Sequence, residues 1–459
     1  MEDIFGLRKK TKILCTIGPA SRGEETIKKL IAAGMNGARI NLAHGTLSEH
    51  RGEIKDIRRA AGENAVMILT DLPGPKIRIG DLKQGPLNLS KGSKVLLSSG
   101  ENKDTIPVNY AIEGSVSPGD HIFINDGIVD LRVREVRKWG VLCMVMAGGE
   151  VLSHKGVNIP SKNIEYDREK ELKLAETIAK EDIDAIGVSF VQNGKDIERV
   201  KDAVDRMVIA KIERRDAVRN AKEIMEVSDG VMVARGDLGV EMGLEKIPLV
   251  QKELIKSANL LGKPVITATQ MLASMVNNRR PTRAEVTDVA NAILDGSDTL
   301  MLSEETAIGD HPVKSVAFMR RIAINAERGM KSSITREWGK MEKSIEDVIS
   351  YDAFEASVFL NAKYIITPTK TGSTPRRISR FKPESSIIAF TRDRMVRNFL
   401  SLSYGVNSML GDENEEYALA FVKRSLKEGE RIVLTRKSFP GSAVTDSLKI
   451  FEMEQDQNL

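Results

Sequence analysis

Short apolar runs recur along the first two thirds of the chain, and each ends in a polar residue or a glycine. Their β-branched content is typical of strands that are buried on both faces of a parallel sheet. Segments with apolar residues at helical spacing separate most of these runs. The pattern predicts eight strands, at Lys12–Ile17, Gly37–Asn41, Val66–Asp71, Ala185–Phe190, Val208–Glu213, Gly230–Arg235, Pro264–Thr269 and Thr299–Ser303.

Eight strands that alternate with helices predict an α/β fold, a closed (β/α)8 TIM barrel. The alternative is an open doubly wound sheet, which usually has fewer strands and a Gly-rich phosphate turn after the first strand; the sequence has no such turn. The predicted helices are Glu24–Ala33, Ser48–Ala60, Arg168–Lys180, Gly194–Asp205, Ala217–Val227, Ile247–Leu261 and Arg283–Leu294.

Two regions do not follow this alternation. Roughly ninety residues separate Asp71 from the helix predicted at Arg168, far more than a loop needs. Short alternating runs divided by Gly-rich turns predict a small β-barrel lid domain there, with strands at Lys94–Leu97, His121–Ile124 and Val129–Val136. A lid inserted after the third strand would lie over the carboxyl ends of the barrel strands.

The last quarter of the chain predicts a C-terminal open α/β domain. Its strands are expected at Tyr364–Pro368, Ser386–Phe390, Gly405–Leu410, Arg431–Thr435 and Leu448–Met453. We assign the barrel to residues 1–76 and 160–340, the lid to 77–159 and the C-terminal domain to 345–459. The polar stretch Ser332–Lys343 is the predicted boundary.

Composition excludes few classes of protein. Charged residues make up 29% of the 459 residues and hydrophobic residues 41%, as in ordinary globular chains. A net charge of +4 with 4% aromatic residues does not favour nucleic-acid binding. No signal core or bilayer-spanning run is present, so we expect a cytoplasmic protein with no membrane partner. Cys15 and Cys143 lack metal-ligand spacing and are interpreted as buried thiols.

Three charged residues lie at the ends of two neighbouring predicted strands. One residue separates Lys211 from Glu213, so both side chains point to the same face of their strand, and Asp237 follows the next strand. Two carboxylates beside a lysine suit a hard divalent cation and the stabilisation of negative charge on a phosphate or an enolate. A solvated ion pair at a strand edge is the alternative, but charged residues that end barrel strands usually face a site.

Eight segments spread along the chain carry a family resemblance: Thr11–Ser21, Gly34–Gly45, Gly74–Arg78, Ala210–Glu213, Ala234–Gly239, Ala268–Leu272, Pro281–Val286 and Met301–Ala307. Each segment alone is weakly specific. Together, in order and on successive predicted strands, they resemble the pyruvate kinase family over nearly the whole chain. That family combines a barrel, a β lid after the third strand and a C-terminal α/β domain.

The resemblance implies transfer of the phosphoryl group of phosphoenolpyruvate to ADP in glycolysis, which gives pyruvate and ATP through a metal-stabilised enolate. Glu213 and Asp237 match the family's ligands for Mg²⁺, for which Mn²⁺ can substitute. Lys211 matches the residue that contacts both the transferring phosphoryl group and the enolate oxygen. The other matches are Arg39 for phosphate and catalysis, Asn41, His44 and Arg78 for the nucleotide, Gly236 and Asp237 for the substrate carboxylate, and Thr269 and Ser303 for a proton relay.

The resemblance also implies a homotetramer and, in the C-terminal domain, a site for a phosphorylated allosteric effector. The matching loop contains hydroxyl residues and a glycine that follow a strand and open a helix: Thr369, Thr371, Gly372, Ser373 and Thr374. The helix N-terminus could hold a phosphate group. An ordinary N-cap with turn residues explains the same string equally well.

The chain departs from the family at a site where many members bind potassium. Asn41 and Asp71 are present, but Ala43 stands where the family has Ser, and Lys76 stands where Glu is common. We therefore expect that the ammonium group of Lys76 replaces the monovalent cation and that potassium is not required. Glu304 replaces a common Gly, and the sequence offers no explanation for it.

Two other functions remain open from the sequence. A metal-dependent lyase or aldolase acting on pyruvate enolate could use the same carboxylate pair, and a catalytically inactive metabolite sensor could keep the same fold. Arg39, Arg78 and the inserted lid favour a nucleotide and therefore a kinase. The intact set of Lys211, Glu213, Asp237 and Thr269 argues against the sensor.

Overall fold

The structure, a computed structural model, describes residues 9–74, 76–100, 105–125, 127–160, 168–330, 338, 343–438 and 444–453. Within these residues eight parallel strands form a closed barrel: β1 (Lys12–Thr16), β2 (Gly37–Asn41), β3 (Met67–Asp71), β12 (Ala185–Val188), β13 (Met207–Ile212), β14 (Gly230–Ala234), β15 (Val265–Ala268) and β16 (Thr299–Leu302). Neighbours in the chain are neighbours in the barrel, and β16 closes the ring by pairing with β1.

Apolar residues on both faces of these strands explain why the barrel forms. Leu14, Met67 and Ile209 belong to a buried cluster inside the barrel. Ile13 and Cys15, which alternate with Leu14, belong to the larger cluster between the strands and the surrounding helices. Because successive side chains of a strand point to opposite faces, continuous apolar runs fill both layers at once.

Helices cover the outside of the barrel, with bounds close to those predicted. The prediction of one helix over Ala217–Val227 is wrong, because the chain turns at Asn220, whose side-chain amide donates to the Gln192 carbonyl at 2.8 Å, and forms two helices there. The barrel helices are α1 (Glu24–Ala33), α2 (Leu47–Ala61), α3 (Glu169–Ile178), α4 (Gly194–Ala203), α5 (Arg215–Arg219), α6 (Ala221–Val227), α7 (Arg235–Met242), α8 (Ile247–Leu260), α9 (Arg283–Leu294), α10 (Glu304–Ala307) and α11 (Pro312–Glu327).

In the described residues between β3 and α3, the regular structure is β apart from one short 3-10 helix at Ile112–Gly114. Its strands are β4 (Leu87–Leu89), β5 (Lys94–Ser98), β6 (Ile106–Pro107), β7 (His121–Ile124), β8 (Val129–Arg137), β9 (Gly140–Ala147), β10 (Gly149–Val151) and β11 (Val157–Asn158). They form a six-stranded sheet of order β11-β7-β8-β9-β5-β6 and a two-stranded sheet of β10 and β4, around a separate apolar core.

The C-terminal region contains a five-stranded sheet of order β19-β18-β17-β20-β21, in which the last strand is antiparallel. Its strands are β17 (Tyr364–Pro368), β18 (Ser386–Thr391), β19 (Val406–Leu410), β20 (Arg431–Arg436) and β21 (Ser447–Glu452). Its helices are α12 (Ile345–Phe359), α13 (Ser373–Ser379), α14 (Arg394–Leu400) and α15 (Glu415–Lys423).

Side chains from the C-terminal region close one end of the barrel. We call this end, where the amino ends of the barrel strands lie, the floor. Phe399 and Leu402 are buried in the same cluster as Leu14 and Met67. Polar contacts reinforce the joint: the Lys12 ammonium donates to the Val406 carbonyl at 2.6 Å. The barrel is therefore completed by residues that lie far away in sequence.

The predicted fold class, a TIM barrel with an inserted β domain and a C-terminal α/β domain, is confirmed. Six of the eight predicted barrel strands end one or two residues too late, and Glu213, Thr269 and Ser303 each lie just beyond a strand; the predicted ends at Asn41 and Asp71 agree with the structure. The exact domain boundaries stay a prediction, and most of Ser332–Lys343 lies outside the described residues. In the described part of the chain no helix is long and apolar enough to cross a membrane.

Candidate active site

The predicted site residues gather at the mouth of the barrel, by which we mean the carboxyl ends of its strands. Lys211 lies near the end of β13, and its ammonium group contacts the carboxylates of Glu213 at 2.9 Å and Asp71 at 3.2 Å. It also donates to the Ser189 hydroxyl at 2.8 Å. The same-face prediction for Lys211 and Glu213 agrees with this contact. All of these groups are buried, so the alternative of a solvated ion pair is wrong.

Asp71 ends β3 and joins Lys211 to Arg39 on β2. The Arg39 guanidinium donates to Asp71 Oδ2 at 2.8 Å and to the Thr16 hydroxyl at 3.1 Å. A β-carbon at Gly187, on the neighbouring strand β12, would lie 2.2 Å from Asp71 Oδ1, so only glycine leaves room for this carboxylate. Successive ion pairs therefore join Arg39, Asp71, Lys211 and Glu213 at the mouth of the barrel. We call this set of four residues the charged ring.

Burial and charge have opposite effects on protonation in the charged ring. Burial opposes ionisation of Asp71, but the positive charges of Arg39 and Lys211 outweigh it and lower the pKa of that carboxyl. Burial likewise opposes the charge on Lys211, but Asp71 and Glu213 outweigh it and raise the pKa of that amine. Asp71 and Lys211 therefore both keep their charges at neutral pH.

A corner after β12, at Ser189 and Phe190, orients Lys211 and Glu213 and was not predicted to be functional. The Phe190 amide donates to Glu213 Oε2 at 2.9 Å, while the Phe190 carbonyl accepts from Arg168 at 2.6 Å. Phe190 has a φ of 54°, a left-handed conformation that a bulky residue rarely adopts. A polar residue near the end of a predicted barrel strand, such as Ser189, was the signal available in the sequence.

Asp237 lies in the first turn of α7, and its carboxylate pairs with Lys76 at 2.5 Å. Lys76 belongs to the segment that leads from β3 into the lid, so this contact joins the lid connection to the mouth. The expectation that Lys76 occupies a potassium site is not reproduced here, because its ammonium group lies on Asp237 rather than on Asp71 or Asn41. The Asn41 amide oxygen instead accepts from the Ala43 amide at 3.2 Å.

Thr269 follows β15 in a strained conformation, with φ of 72°, and Gln270 follows with φ of 52°. The Gly236 amide donates to the Thr269 hydroxyl at 2.9 Å, so the amide expected to be free for a substrate carboxylate is bonded to Thr269. Arg235 holds the strained segment by donating to the Thr269 carbonyl at 2.8 Å and to Asp288 at 2.7 Å. Arg235 was not predicted as a functional residue.

Ser303 follows β16, and its hydroxyl is buried with no hydrogen-bond partner in the described part of the chain. The buried Glu305 carboxylate accepts from the Ser303 amide at 2.7 Å and from the Leu272 amide at 2.9 Å. Glu305 thus ties the end of β16 to the loop after β15. Glu304, whose role the sequence did not explain, is exposed and remains unexplained by the structure.

The other predicted positions are less closely joined to the charged ring. Asn41 ends β2, and His44 is exposed in the loop that follows. Arg78 lies on the lid side of the connection, where it donates to the His154 carbonyl at 3.0 Å. In the C-terminal region Thr369, Thr371, Gly372, Ser373 and Thr374 form the turn into α13, where Ser373 bonds to Glu346 at 3.3 Å and Thr374 to Thr445 at 2.7 Å.

Two carboxylates, Glu213 and Asp237, fit a divalent cation: Glu213 follows β13, Asp237 lies in the first turn of the helix after the neighbouring strand β14, and carboxylate oxygens suit a hard cation. Glu213 is paired with Lys211, and Asp237 is paired with Lys76. A positive charge therefore already lies beside each carboxylate. In the described residues no group of three or more His, Cys, Asp and Glu could hold a metal by itself. A cation here would take its remaining ligands from water and a bound molecule.

Comparison with known proteins gives one consistent family. The model "Pyruvate kinase, barrel domain" matches residues 8–316, and "Pyruvate kinase, alpha/beta domain" matches residues 347–451. The chain is 48% identical to pyruvate kinase of Thermococcus litoralis over 97% of this chain and 98% of the relative. It is 41% identical to pyruvate kinase of Bacillus licheniformis over 96% of this chain and 80% of the relative.

A solved structure, that of a pyruvate kinase from Cryptosporidium parvum, superimposes with a TM-score of 0.90 at 34% sequence identity, covering 97% of this chain and 96% of that one. The matches extend over both the barrel and the C-terminal domain, and they agree with the family resemblance of the eight segments. The chain therefore belongs to the pyruvate kinase family.

Proposed function

We propose that the charged ring is where this chain carries out the reaction of its family, the transfer of the phosphoryl group of phosphoenolpyruvate to ADP in glycolysis. The family consists of metal-dependent phosphotransferases that bind these two substrates. The supporting observation is the ring itself, in which Lys211 lies 2.9 Å from Glu213 and 3.2 Å from Asp71. Negative charge develops on both the phosphoryl group and the enolate, so fixed cations stabilise the transition state.

We assign Mg²⁺, with Mn²⁺ as a substitute, to Glu213 and Asp237. When bound, the cation supplies positive charge opposite the phosphoryl and enolate oxygens. For Glu213 and Asp237 to serve as ligands, Lys211 and Lys76 must give up one contact each. Lys211 would then point to the substrate, and its compact ammonium charge can follow the phosphoryl group as it moves.

The remaining roles follow from position. Arg39 would bind a phosphate through its guanidinium fork, and the backbone at Gly236 and Asp237 would hold the substrate carboxylate once the Thr269 hydroxyl releases the Gly236 amide. Thr269 would then relay a proton from water to the enolate carbon, with the buried Ser303 hydroxyl as a second member of the relay. Asn41, His44 and Arg78 would contact the nucleotide.

We infer that potassium is not required. Asp71 is already neutralised by Arg39 and Lys211, and Lys76 adds a positive charge at Asp237. The test is activity at constant ionic strength in tetramethylammonium, with and without added potassium. Activation of tenfold or more, equivalent to about 1.4 kcal/mol, would contradict the inference. Lys76→Glu combined with Ala43→Ser should make the enzyme more dependent on potassium.

The finer regulatory features are also proposals: a homotetramer in the cytoplasm, and a phosphorylated effector at the loop of Thr369, Thr371, Gly372, Ser373 and Thr374. A phosphate there would compete with Glu346 for the Ser373 hydroxyl. Thr371→Glu with Ser373→Glu should weaken effector binding by repulsion. Calorimetry with glycolytic phosphates and AMP tests this, and no binding together with hyperbolic kinetics would favour the plain N-cap.

The decisive experiment for the function is a coupled assay with phosphoenolpyruvate, ADP and Mg²⁺. Formation of pyruvate that requires both ADP and the metal is the expected result. Turnover of a pyruvate-derived enolate without ADP would indicate a lyase or aldolase, and no turnover of a folded protein would indicate a sensor.

A further inference from the structure

The two connections between the barrel and the lid run side by side, and we call segments 76–79 and 154–157 the lid stalk. They pair as a short antiparallel bridge, in which the Val157 amide donates to the Ile77 carbonyl at 2.8 Å. Because backbone hydrogen bonds join the incoming and the outgoing chain, a contact made by one of them holds both in place.

The side chain of Lys76 crosses the lid stalk to reach the barrel. Its ammonium group pairs with the Asp237 carboxylate at 2.5 Å and lies 5.7 Å from the centre of the Phe190 ring. A β-carbon at Gly156, on the outgoing chain, would lie 2.4 Å from Lys76 Cε and 3.1 Å from Lys76 Nζ. Lys76 therefore lies directly on the backbone of Gly156, where a side chain would block its path to Asp237.

Lys76 and Asp237 are each other's partner in a stricter sense than the other lysine and carboxylate of the proposed metal site. Among the described residues neither Lys76 nor Asp237 makes another ion pair or side-chain hydrogen bond. Lys211, by contrast, contacts Asp71 as well as Glu213. Lys211 can therefore leave Glu213 and keep a carboxylate partner, whereas Lys76 loses its carboxylate partner when it leaves Asp237.

We propose that Lys76 is an internal competitor of the divalent cation, which occupies Asp237 in the metal-free enzyme and lowers the affinity of the site for metal. The inference rests on the proposed assignment of Glu213 and Asp237 as metal ligands. Two cations beside one carboxylate repel each other strongly at contact distance, so the ion pair and the metal-bound state exclude each other. A site that is open in only a fraction of the molecules binds its ligand more weakly in proportion to that fraction.

The exchange of partners at Asp237 also changes how the lid is held. While Lys76 pairs with Asp237, the lid stalk is tied to the first turn of α7 in the barrel. Once a divalent cation is bound to Asp237, Lys76 has no carboxylate partner, and the nearby Phe190 ring offers only a weaker cation–π contact. Metal occupancy should therefore be detectable in the lid stalk as well as at the mouth.

Binding of Mn²⁺ alone to the metal-free enzyme, followed by electron paramagnetic resonance of the free ion, measures the competition without turnover. Lys76→Met should increase the affinity by about three- to tenfold, because the competing contact is gone. Gly156→Ala should also increase it, although no charge changes, because the new methyl group displaces the Lys76 side chain. The three atoms nearest to that methyl group all belong to Lys76, and the φ of Gly156 lies outside the left-handed region, so alanine is accepted there.

The matched control is Lys155→Met, which removes one positive charge from the same lid stalk. No contact joins the Lys155 side chain to Asp237 in the described part of the chain. The affinity for Mn²⁺ should therefore stay within about twofold of the wild type, since a more distant charge is screened by salt. An equal gain in Lys155→Met and Lys76→Met, or wild-type affinity in Gly156→Ala, would overturn the competition.

One further variant separates this inference from the proposed metal site itself. Asp237→Asn should weaken Mn²⁺ binding, because a neutral amide replaces a charged ligand of a hard cation. Weakened binding in that variant, together with wild-type affinity in Lys76→Met, would overturn the competition and leave the metal site standing. Wild-type affinity in Asp237→Asn would remove Asp237 from the metal site, and the competition would fail with it.

Hydrogen–deuterium exchange of the lid stalk gives a second readout. Saturating Mn²⁺ should speed exchange of the Val157 amide in the wild type, because the tie between the stalk and α7 is released. In Lys76→Met this exchange should already be fast without metal and should change little when metal is added. Exchange that does not respond to metal in the wild type, or that responds equally in both proteins, would contradict the release of the lid stalk.

Discussion

Each charge in the mouth of the barrel is fixed by another side chain. Lys211 lies between Asp71 and Glu213, and Arg39 lies on the far side of Asp71. Because these partners come from three different strands, the ring is preorganised by the barrel and needs little rearrangement when charge develops on a substrate. A preorganised cation should affect the chemical step more than substrate binding.

Lys211→Met is expected to lower kcat of phosphoryl transfer by about 10²–10³-fold or more, because it removes a charge opposite the transition state. Exchange of the methyl protons of pyruvate with solvent should decrease less, since polarisation of the carbonyl does not depend on Lys211 alone. The two rates are measured by the coupled assay and by NMR in deuterated water. Equal losses in both would contradict the separate role of Lys211.

Glu213→Gln should weaken divalent-metal binding, because a neutral amide replaces a charged ligand of a hard cation. Mn²⁺ binding followed by electron paramagnetic resonance measures this without turnover. The variant also leaves Lys211 with Asp71 as its remaining carboxylate partner, so the loss of stability should be smaller than the about 3–5 kcal/mol of a buried charge left without any partner. A folded variant with wild-type Mn²⁺ affinity would remove Glu213 from the metal site.

Among the structural elements, the corner after β12 links the start of α3 to Glu213 at the end of β13. Arg168 donates to the Phe190 carbonyl at 2.6 Å, and the Phe190 amide donates to Glu213 at 2.9 Å. Arg168 also pairs with Glu171 at 2.9 Å and with Asp196 at 3.1 Å. Arg168 is thus a positioning residue, which acts on Glu213 through the strained peptide of Phe190.

If Glu213 binds the metal as proposed, Arg168→Gln should lower kcat by about 10–100-fold, the usual effect of removing a group that orients a metal ligand. KM for ADP should change little, because Arg168 does not touch the expected nucleotide positions. Arg168→Lys should recover part of kcat through its remaining hydrogen bond. Steady-state kinetics with both substrates measure these effects, and a fall in thermal stability with unchanged kcat would show a purely structural role.

The alternation of strands and helices could be predicted from the sequence because local periodicity determines it. Lys211 and Glu213 could be predicted because strand direction brings such residues to one mouth, whereas the role of Thr269 was predicted from the family resemblance. Phe190, Arg168 and Glu305 could not, since their roles depend on peptides held between distant segments. The closing of the barrel floor by Phe399 could not be predicted either, because the sequence does not show which of several apolar cores a residue on a helix will join.

At the scale of the whole molecule, the lysines near the barrel floor make stability depend on pH. The pKa of Lys9 is lowered to about 7, mainly by burial, so between pH 7 and its ordinary value of 10.5 the unfolded chain binds more protons than the folded one. The free energy of unfolding should therefore rise with pH in this window, and the Lys9 penalty is largest below pH 7.

Lys9→Met should reduce this rise, which denaturant unfolding at pH 7 and pH 9 in low salt would measure. Lys12, whose pKa is lowered to about 8, contributes in the same direction and should keep part of the slope in the variant. Lys173→Met is the matched control, because that side chain is 77% exposed. An identical slope in the wild type and the Lys9 variant would show that Lys9 is not linked to folding.

The sealing of the barrel floor by Phe399 and Leu402 means that the catalytic unit is not an independent module. A shortened chain that ends after α11 would expose the apolar interior at Leu14 and Met67 to water and leave the buried Lys12 ammonium without its acceptor. Such a fragment should be produced as insoluble material, which centrifugation after expression would detect. Replacing the C-terminal region in evolution would therefore require new apolar side chains to close the barrel floor at the same time.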